Sequence, residues 1–372
     1  MPGLTIGTAT ARPGKITTGW FDGVSLPSGG TDRIPILIAG GRHDGPVFWI
    51  TSGIHGTEHT GPIVIQELLT AALARELRGT LVAIPALNPA GLRTRQRGAY
   101  YVDTDPNRLF PKPGQTPAAA PKPGDRPHSD LETAFARLYD AIVESVPAGL
   151  LDLHNASIGS LPFTLRDPVF YYPSRGKSPT RPEALALQAR VGGLVEAIGF
   201  TAINEFAADS YVAQNLDRSV SGSVLNGAGI PALTIELGSW MHLDPGVVGA
   251  CQAGLRNALR WAGMLDGELE PITGIPVVRP GYSVRRADTV YAPCTGIVHH
   301  LVRPGEIFLR AQPLLRMTDI FGKPLGEDDG MVRSEADGFV YGWSHGVVRY
   351  RGETVMSLAI RDKEELVIPF HT

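Results

Sequence analysis

No feature restricts the fold of this chain more than its short apolar runs, several of which carry a histidine or a glutamate near the carboxyl end. Such runs are typical of strands that are buried on both faces of a parallel sheet. After the first run, helical apolar spacing over Ile63–Leu77 predicts a crossover helix, and Gly79 follows as a stop signal. This β-α-β order predicts an α/β fold with a mixed, mainly parallel sheet flanked by helices, after short strands in residues 1–45. The expected buried strands are Val47–Thr51, Leu81–Leu87, Leu150–His154 and Ala232–Leu237.

Helix signals fill the intervals between the later strands. Ser129 and Glu132 fit a capping box, which predicts that a helix begins there. Two further helices are expected over Glu183–Ile198 and Pro245–Leu265. The stretch Pro111–Pro127 is rich in Pro, Gly and Ala, so we expect a long loop that forms a lid or a rim.

The chain changes character after about residue 270. Residues 1–270 are expected to form the catalytic α/β domain, and residues 271–372 a smaller all-β domain behind a linker. Within the second part, Ala292–Val298 resembles Glu335–Val340. Two such halves predict a small sandwich of hairpins like that of biotinyl and lipoyl carriers. Lys323 lacks the Met-Lys or Asp-Lys context of a carrier lysine, so we interpret it as an ordinary turn residue.

The composition argues against several functional classes. The chain has 372 residues, of which 43% are hydrophobic, so it is long enough for a large globular domain and a smaller one. A formal net charge of -3 and scattered basic residues argue against nucleic-acid binding. We find neither a signal peptide nor a run of about 20 apolar residues, so we expect no membrane contact and a cytoplasmic location. Cys251 and Cys294 are accordingly expected to be free thiols.

His55, Glu58 and His154 are the candidate metal ligands. Gly53 and Gly56 flank His55 just after a predicted strand, where they permit a tight turn and where open α/β sheets bind ligands. Two neutral imidazole nitrogens and one carboxylate oxygen, with a fourth position open, form the ligand set of a catalytic zinc. The pattern therefore indicates a metal-dependent hydrolase with one zinc ion (Zn2+) per chain.

The same stretch permits a second interpretation. His55-Gly56-Thr57-Glu58-His59 matches the inverted zinc signature H-x-x-E-H, in which both histidines bind the metal and the glutamate is the base. That arrangement requires His55 and His59 on one face of a continuous helix, whereas each interior glycine costs about 1 kcal/mol. We therefore expect His59 to lie near the site without binding the metal.

Two further groups of residues offer substrate contacts and acid–base chemistry. Arg108 provides a planar fork for a carboxylate, and Asn107 beside it supplies another donor. Glu236 ends an apolar strand, where a buried carboxylate is costly unless it has a partner or a chemical role. Seen alone, Asn107 and Arg108 could form a solvated turn with a salt bridge, and Glu236 could form an ion pair.

Together these motifs resemble those of the succinylglutamate desuccinylase/aspartoacylase family, a branch of the zinc carboxypeptidase-like hydrolases. The resemblance covers about residues 46–240, and the all-β part is similar to a domain that is common in this family. The matching motifs, in order, are Gly53-x-His55-Gly56-x-Glu58, Asn88-Pro89 with Arg97 nine positions on, Asp105-x-Asn107-Arg108-x-Phe110-Pro111, Asp152-Leu153-His154 and Thr234-x-Glu236-x-Gly238.

The resemblance implies roles for the residues around the metal. His55, Glu58 and His154 would bind zinc, and Asp105 would form a hydrogen bond with the free ring nitrogen of His55. Glu236 would act as general base and then as general acid while a metal-activated water attacks the scissile carbonyl.

The resemblance also implies a substrate. Arg97 would polarise the scissile carbonyl, and Asn107 and Arg108 would hold the carboxylate of a small N-acyl amino acid, whose amide bond is hydrolysed. Such a deacylase has a small molecule as its partner, and a homo-oligomer is compatible with it. The alternatives are a zinc carboxypeptidase that acts on peptides and a non-catalytic binding protein on the same fold.

The chain departs from the family pattern in several positions. Pro106 stands where a leucine is common, and the interval from Arg97 to Asp105 is longer than usual, which leaves Arg95 as a rival to Arg97. A tyrosine or arginine from a later segment completes the family's site, and Arg166 and Tyr211 are the candidates here.

Overall fold

The structure is a computed structural model that describes residues 3–114, 127–174 and 179–370, so most of the Pro111–Pro127 stretch lies outside it. Its strands are β1 (Thr5–Ile6), β2 (Ala9–Thr10), β3 (Lys15–Ser25), β4 (Thr31–Gly40), β5 (His43–Ser52), β6 (Arg78–Ile84), β7 (Gly149–Ala156), β8 (Pro162–Arg166), β9 (Val169–Tyr171), β10 (Thr201–Asn204), β11 (Ala232–Ser239), β12 (Val284–Tyr291), β13 (Gly296–His300), β14 (Ile307–Phe308), β15 (Pro313–Thr318), β16 (Met331–Arg333), β17 (Gly338–Trp343), β18 (Val348–Arg349), β19 (Thr354–Arg361) and β20 (Val367–Pro369). Its α-helices are α1 (Thr60–Leu68), α2 (Ala71–Glu76), α3 (Pro89–Thr94), α4 (Asp130–Glu144), α5 (Arg181–Ile198), α6 (Ala208–Ala213), α7 (Val220–Ala228) and α8 (Pro245–Trp261).

A large mixed sheet forms the frame of the molecule, which confirms the predicted α/β class. Its strands follow the order β14-β17-β19-β12-β10-β8-β11-β7-β5-β6-β4-β3. At its centre β11, β7, β5 and β6 run parallel, while β8 is antiparallel to β11 and β4 is antiparallel to β6. Parallel neighbours bring their carboxyl ends to one edge of the sheet, and ligands bind at such edges in α/β proteins.

Helices cover the central strands and share one core with them. α5 packs on α8 and α8 on α1, whereas α4 contacts α7, and both groups contact the large sheet. The predicted capping box opens α4, because Ser129 Oγ accepts from the Glu132 N–H and the Glu132 carboxylate accepts from the Ser129 N–H. No helix in the described parts of the chain is long and apolar enough to cross a bilayer.

The continuous helix predicted over Ile63–Leu77 is wrong. α1 ends before Leu69, and Thr70 starts α2 by accepting a hydrogen bond of 3.1 Å from the Leu73 N–H. Threonine is a preferred N-cap, so a new helix begins there. The apolar spacing continues across the break, which is why periodicity did not reveal it.

Both bounds of the predicted strand Leu81–Leu87 lie too far towards the C-terminus. β6 starts at Arg78, and Gly79, which we expected to stop a helix, lies inside the strand with a φ of 76°. A Cβ atom at Gly79 would lie 1.9 Å from the backbone oxygen of Pro46, so glycine allows β6 to approach β5 here. Pro85 then follows the last strand residue.

The C-terminal part is rich in strands, as predicted, but it continues the large sheet. β12 pairs in parallel with β10 and is followed outward by β19, β17 and β14. A second sheet contains β16, β15, β13 and β18, and Lys323 lies in an exposed turn after β15. Both cysteines are free, with Cys251 buried and Cys294 half-buried. The domain boundary near residue 270 stays a prediction.

Candidate active site and metal centre

The strand register brings the predicted site residues to one edge of the large sheet. In the parallel pair of β7 and β11, His154 lies directly opposite Glu236. In the neighbouring pair, Thr51 lies opposite Asp152, and β5 ends three residues before His55. Because directly opposite residues share one face of a sheet, His154 and Glu236 point to the same side.

The turn after β5 depends on two glycines. Gly53 has a φ of 63°, a left-handed conformation that glycine adopts without strain. A Cβ atom at Gly56 would lie 1.9 Å from the backbone carbon of Gly91, so the turn contacts α3 directly. The Gly56 N–H also donates to the backbone oxygen of Arg97 at 3.3 Å, which ties the turn of His55 to the next motif.

The side chains of His55, Glu58 and His154 form a compact group. One possible ligand atom from each lies within 4.8 Å of the others, and all three residues are buried. His55 Nδ1 lies 2.7 Å from Glu58 Oε1, and His154 Nδ1 lies 2.9 Å from Glu58 Oε2. The second contact lacks the angles of a hydrogen bond, and within the described residues Glu58 Oε2 has no hydrogen-bond partner. A buried acceptor of this kind fits a divalent cation held by two nitrogens and one oxygen.

Each histidine turns its other ring nitrogen towards a second carboxylate. His55 Nε2 lies 3.0 Å from Asp105 Oδ1, and His154 Nε2 lies 2.7 Å from Asp152 Oδ2. Asp152 also accepts a hydrogen bond of 2.7 Å from the Thr51 hydroxyl. An imidazole that donates its outer N–H in this way presents the lone pair of Nδ1 to a metal.

The charges of the group stabilise one another. Burial alone would raise the pKa of Glu58, but His55 and His154 outweigh burial and hold this pKa well below its usual value. Burial alone would lower the pKa of His154, but Asp152 and Glu58 raise it well above its usual value. The carboxylates therefore favour positive charge between them, which is the electrostatic condition for binding a cation.

Glu236 lies beside this group. Its Oε2 atom is buried and has no hydrogen-bond partner in the part of the chain that the structure describes. Burial raises the pKa of Glu236 to about 7; the charge of His154 opposes this shift and that of Glu58 adds to it. A carboxyl group with a pKa near neutrality is suited to proton transfer.

Arg97 is the candidate arginine that contacts the group of His55, Glu58 and His154. Its Nη2 donates to Asp105 Oδ2 at 2.9 Å, and its Nη1 lies 3.6 Å from Glu58 Oε1, while 57% of the side chain is exposed. Arg95 is exposed and ends α3 in a left-handed conformation with a φ of 55°. The geometry therefore favours Arg97 over Arg95 as the arginine that contacts Glu58.

Asn107 and Arg108 lie in the 3-10 turn that follows Asp105. Asn107 is buried, and its Oδ1 accepts a hydrogen bond of 3.0 Å from the Val220 N–H. Arg108 donates from Nε to the backbone oxygen of Gln214 and from Nη1 to that of Asn107, both at 2.8 Å. Burial lowers the pKa of Arg108, and the charge of Asp105 opposes this effect. These contacts fix the guanidinium group in one orientation.

The structure shows what the other two candidates, Arg166 and Tyr211, contact. Arg166 donates to the side-chain oxygen of Asn204 on β10, at 2.7 and 2.9 Å. Tyr211 is buried against Phe170, with 6.0 Å between the ring centroids. The structure thus ties Arg166 to the neighbouring strand and packs Tyr211 into an aromatic cluster.

The sequence analysis assigned no role to two charged residues near the site. Asp152 holds His154, and the signal was present, because residues two apart in a strand share one face. Arg286 on β12 forms an ion pair of 3.3 Å with the buried Glu205, and its charge counteracts the effect of burial on the pKa of Glu236. Nothing in the local sequence of Arg286 indicates this position, because β12 reaches it only through pairing with β10.

Comparison with known proteins finds a family model that matches part of the chain. Residues 44–169 match the family model of the succinylglutamate desuccinylase/aspartoacylase catalytic domain. A relative from Halomonas elongata, named N-alpha-acetyl-L-2,4-diaminobutyric acid deacetylase, is 24% identical over 136 residues. That match spans 36% of this chain and 36% of the relative.

Solved structures share the fold over nearly the whole chain. The succinylglutamate desuccinylase/aspartoacylase of Rhodobacter sphaeroides is 23% identical with a TM-score of 0.68, and the match covers 94% of this chain and 96% of that one. The ectoine utilization protein EutE (DoeB) of Ruegeria pomeroyi, in a product-bound structure, is 19% identical with a TM-score of 0.69, covering 93% and 95%. Over residues 44–169, this chain is therefore similar to the catalytic domain of the succinylglutamate desuccinylase/aspartoacylase family.

Proposed function

We propose that this protein is a zinc-dependent amidohydrolase that removes the acyl group from a small N-acyl amino acid. The observation that carries the proposal is the buried group of His55, Glu58 and His154, with Glu236 beside it. The name of the relative from Halomonas elongata, a deacetylase of an N-acetylated amino acid, supports the same reaction class.

The donor set supports zinc as the metal. Two imidazole nitrogens and one carboxylate oxygen match the ligands of catalytic zinc sites, which leave one position for water or substrate. When bound, zinc lowers the pKa of water to about 7 and polarises a carbonyl group. Asp105 and Asp152 would fix the tautomers of the two histidines, because each carboxylate accepts from the outer ring nitrogen.

Glu236 would move the proton. Its carboxylate would accept a proton from the attacking water and then deliver it to the departing amine nitrogen, which is otherwise a poor leaving group. The position opposite His154 and the raised pKa, about 7, both suit this exchange.

Arg97 and Arg108 would each stabilise a negative charge on the substrate. Arg97 would stabilise the charge that develops on the acyl oxygen, a contribution of roughly 3–4 kcal/mol for a well-placed donor. Arg108, with the amide of Asn107 beside it, would bind the carboxylate of the substrate through its planar fork.

A substrate panel tests the proposal. We expect the purified protein to contain about one zinc ion per chain and to hydrolyse N-acetyl or N-succinyl amino acids. A chelator should abolish this activity and added zinc should restore it. The panel includes N-acetylated diamino acids, N-acetylated and N-succinylated acidic amino acids, and short peptides with free C-termini.

Two outcomes would replace the proposal. Activity on peptides alone would identify a carboxypeptidase. A protein that binds far less than about one zinc ion per chain, and that hydrolyses none of these compounds after zinc is added, would be a binding protein.

A further inference from the structure

The loop that carries Arg97 is held at both ends by one buried carboxylate, that of Asp32. Asp32 lies at the start of β4, and its side chain is 2% exposed. Arg93 donates from Nη1 and Nη2 to its two oxygens at 2.8 and 2.9 Å, and the Tyr101 hydroxyl donates to Oδ2 at 3.2 Å. One side chain therefore binds the residues four positions before and four positions after Arg97.

The charges strengthen this clamp of Asp32, Arg93 and Tyr101. The hydrogen bond with Asp32 raises the pKa of Arg93, so the guanidinium group keeps its charge. Burial raises the pKa of Tyr101 above its usual value, and the negative charge of Asp32 adds to the shift, so the hydroxyl keeps its proton. Bidentate pairs of arginine and carboxylate are among the strongest hydrogen-bonded contacts in proteins, and they fix orientation as well as position.

Between the two ends of the clamp, Ala99 packs into the hydrophobic core, but most of the other side chains lie in solvent. Arg95, Gln96, Arg97 and Tyr100 are all exposed. The hydrogen bond from the Gly56 N–H to the backbone oxygen of Arg97 is long, at 3.3 Å. Segments with few buried contacts open at low free-energy cost, so the anchors at the two ends, with the buried Ala99 and the 3.0 Å hydrogen bond from the Gln96 N–H to the Gly91 oxygen, hold the segment around Arg97.

The position of Arg97 is demanding, because its largely exposed side chain contacts two carboxylates at once. Its Nη2 must lie 2.9 Å from Asp105 while its Nη1 lies 3.6 Å from Glu58. A displacement of about 1 Å in a group that acts on the reacting atoms typically lowers the rate about a hundredfold.

We propose that Asp32 is a positioning residue for amide hydrolysis, which fixes the loop so that Arg97 reaches the acyl oxygen above the metal-binding group. The proposal rests on the proposed function, because it acts through Arg97. The hairpin of β3 and β4 thereby contributes to the site through a residue that lies 65 positions before the arginine it places.

Asp32→Asn tests the proposal, since it keeps the shape of the side chain and removes its charge. We expect kcat to fall roughly ten- to hundredfold, with KM changed less than about threefold and the zinc content unchanged. Glu270→Gln is the matched control, because Glu270 binds Arg256 and Arg260 in a similar way beyond the end of α8. The control should leave kcat unchanged.

A double substitution separates positioning from general stability. If Asp32 acts through Arg97, Asp32→Asn should cause no further loss of kcat in the Arg97→Ala background. If Asp32→Asn lowers kcat by the same factor in both backgrounds, the residue acts in another way and the proposal is overturned.

Hydrogen exchange provides a readout that does not need turnover. Amide deuterium uptake over residues 95–101 should be faster in Asp32→Asn than in the wild type and unchanged in Glu270→Gln. Equal uptake in wild type and Asp32→Asn would overturn the proposal, even if the wild type hydrolysed no N-acyl amino acid. Absence of hydrolysis by the wild type alone would reject the proposed function and leave the exchange result to decide whether Asp32 holds the loop.

Discussion

At the scale of single residues, Glu236 is half-buried, and its buried Oε2 atom has no hydrogen-bond partner within the described residues. Glu236→Gln preserves its shape but removes the group that would transfer the proton, so we expect kcat to fall about 100- to 10,000-fold. The zinc content should stay the same, because Glu236 is not one of the three ligands. Stability should be equal or higher, since an amide is cheaper to bury than a carboxylate. Steady-state kinetics, metal analysis and thermal unfolding measure the three quantities, and an unchanged kcat would remove Glu236 from the mechanism.

Asp167 predicts a pH dependence of stability that is separate from catalysis. Burial, with the charge of Glu205 adding to it, raises the pKa of Asp167 from 3.8 to about 7, although the Ser221 hydroxyl donates to it at 2.8 Å. Because the folded pKa lies above the unfolded one, the stabilising contribution of the protonated group is complete below pH about 4 and is lost as the pH rises to about 7. Asp167→Asn should remove this loss.

The measurement for Asp167 is urea unfolding of metal-free protein between pH 4 and 8, for wild type and Asp167→Asn. The free energy of unfolding of the variant, relative to the wild type, should increase across this range by up to roughly 4 kcal/mol. A difference that does not vary with pH would contradict the assigned pKa.

The residues that sequence reasoning located are those with a local signal. His55 and Glu58 stand three positions apart after a strand, and His154 lies near the carboxyl end of β7, so the strand order alone predicts that they converge. Asp32 and Arg286 carry no such signal. Each is one of many charged residues, and the contacts of Asp32 with Arg93 and of Arg286 with Glu205 join positions far apart in the sequence.

At the scale of elements, the turn between β5 and α1 has no room for a side chain at Gly56. Gly56→Ala would place a Cβ atom 1.9 Å from the backbone of Gly91, so the turn or α3 must move. We expect the zinc affinity to fall at least tenfold, because His55 and Glu58 flank the displaced residue. Gly192→Ala is the control, since its Cβ atom would meet nothing within 4 Å in α5 and should stabilise the helix by about 0.5–1 kcal/mol. Competition with a zinc chelator measures the affinity, and equal affinity in Gly56→Ala would show that the turn tolerates a side chain.

The start of a helix was predictable where the residues at its end form a capping motif. The capping box of Ser129 and Glu132 marks the start of α4 in both sequence and structure. The interval Ile63–Leu77 has only its apolar spacing, and spacing does not register the new start at Thr70. Gly79 in β6 shows that a local signal can also mislead. Glycine is typical of a helix stop, but this glycine lets two strands approach closely.

At the scale of the whole molecule, the C-terminal part is joined to the strands before residue 270 by hydrogen bonds and by a shared core. Asn204 on β10 pairs with Arg285 on β12, and Arg285 also forms an ion pair of 2.9 Å with Asp362. The last strand, β20, pairs in parallel with β9, where Phe370 stacks on Phe170 with 4.7 Å between centroids. A chain that returns to the catalytic part in this way cannot be inferred from local patterns, because β9 and β20 are about 200 residues apart.

The shared core predicts that the two parts unfold together. Phe339 on β17 is 0% exposed and belongs to a cluster with Leu161, Phe163 and Ile203 from the catalytic part. Phe339→Ala should therefore lower the stability of the entire molecule by about 3–5 kcal/mol, whereas Phe321→Ala, at a position that is 91% exposed, should change it by less than about 0.5 kcal/mol. Calorimetry of the metal-free protein should show one transition for the wild type, shifted as a whole in Phe339→Ala. Two separate transitions, of which Phe339→Ala moves only one, would instead show that the C-terminal part is an independent domain and that the continuous sheet contributes little to cooperativity.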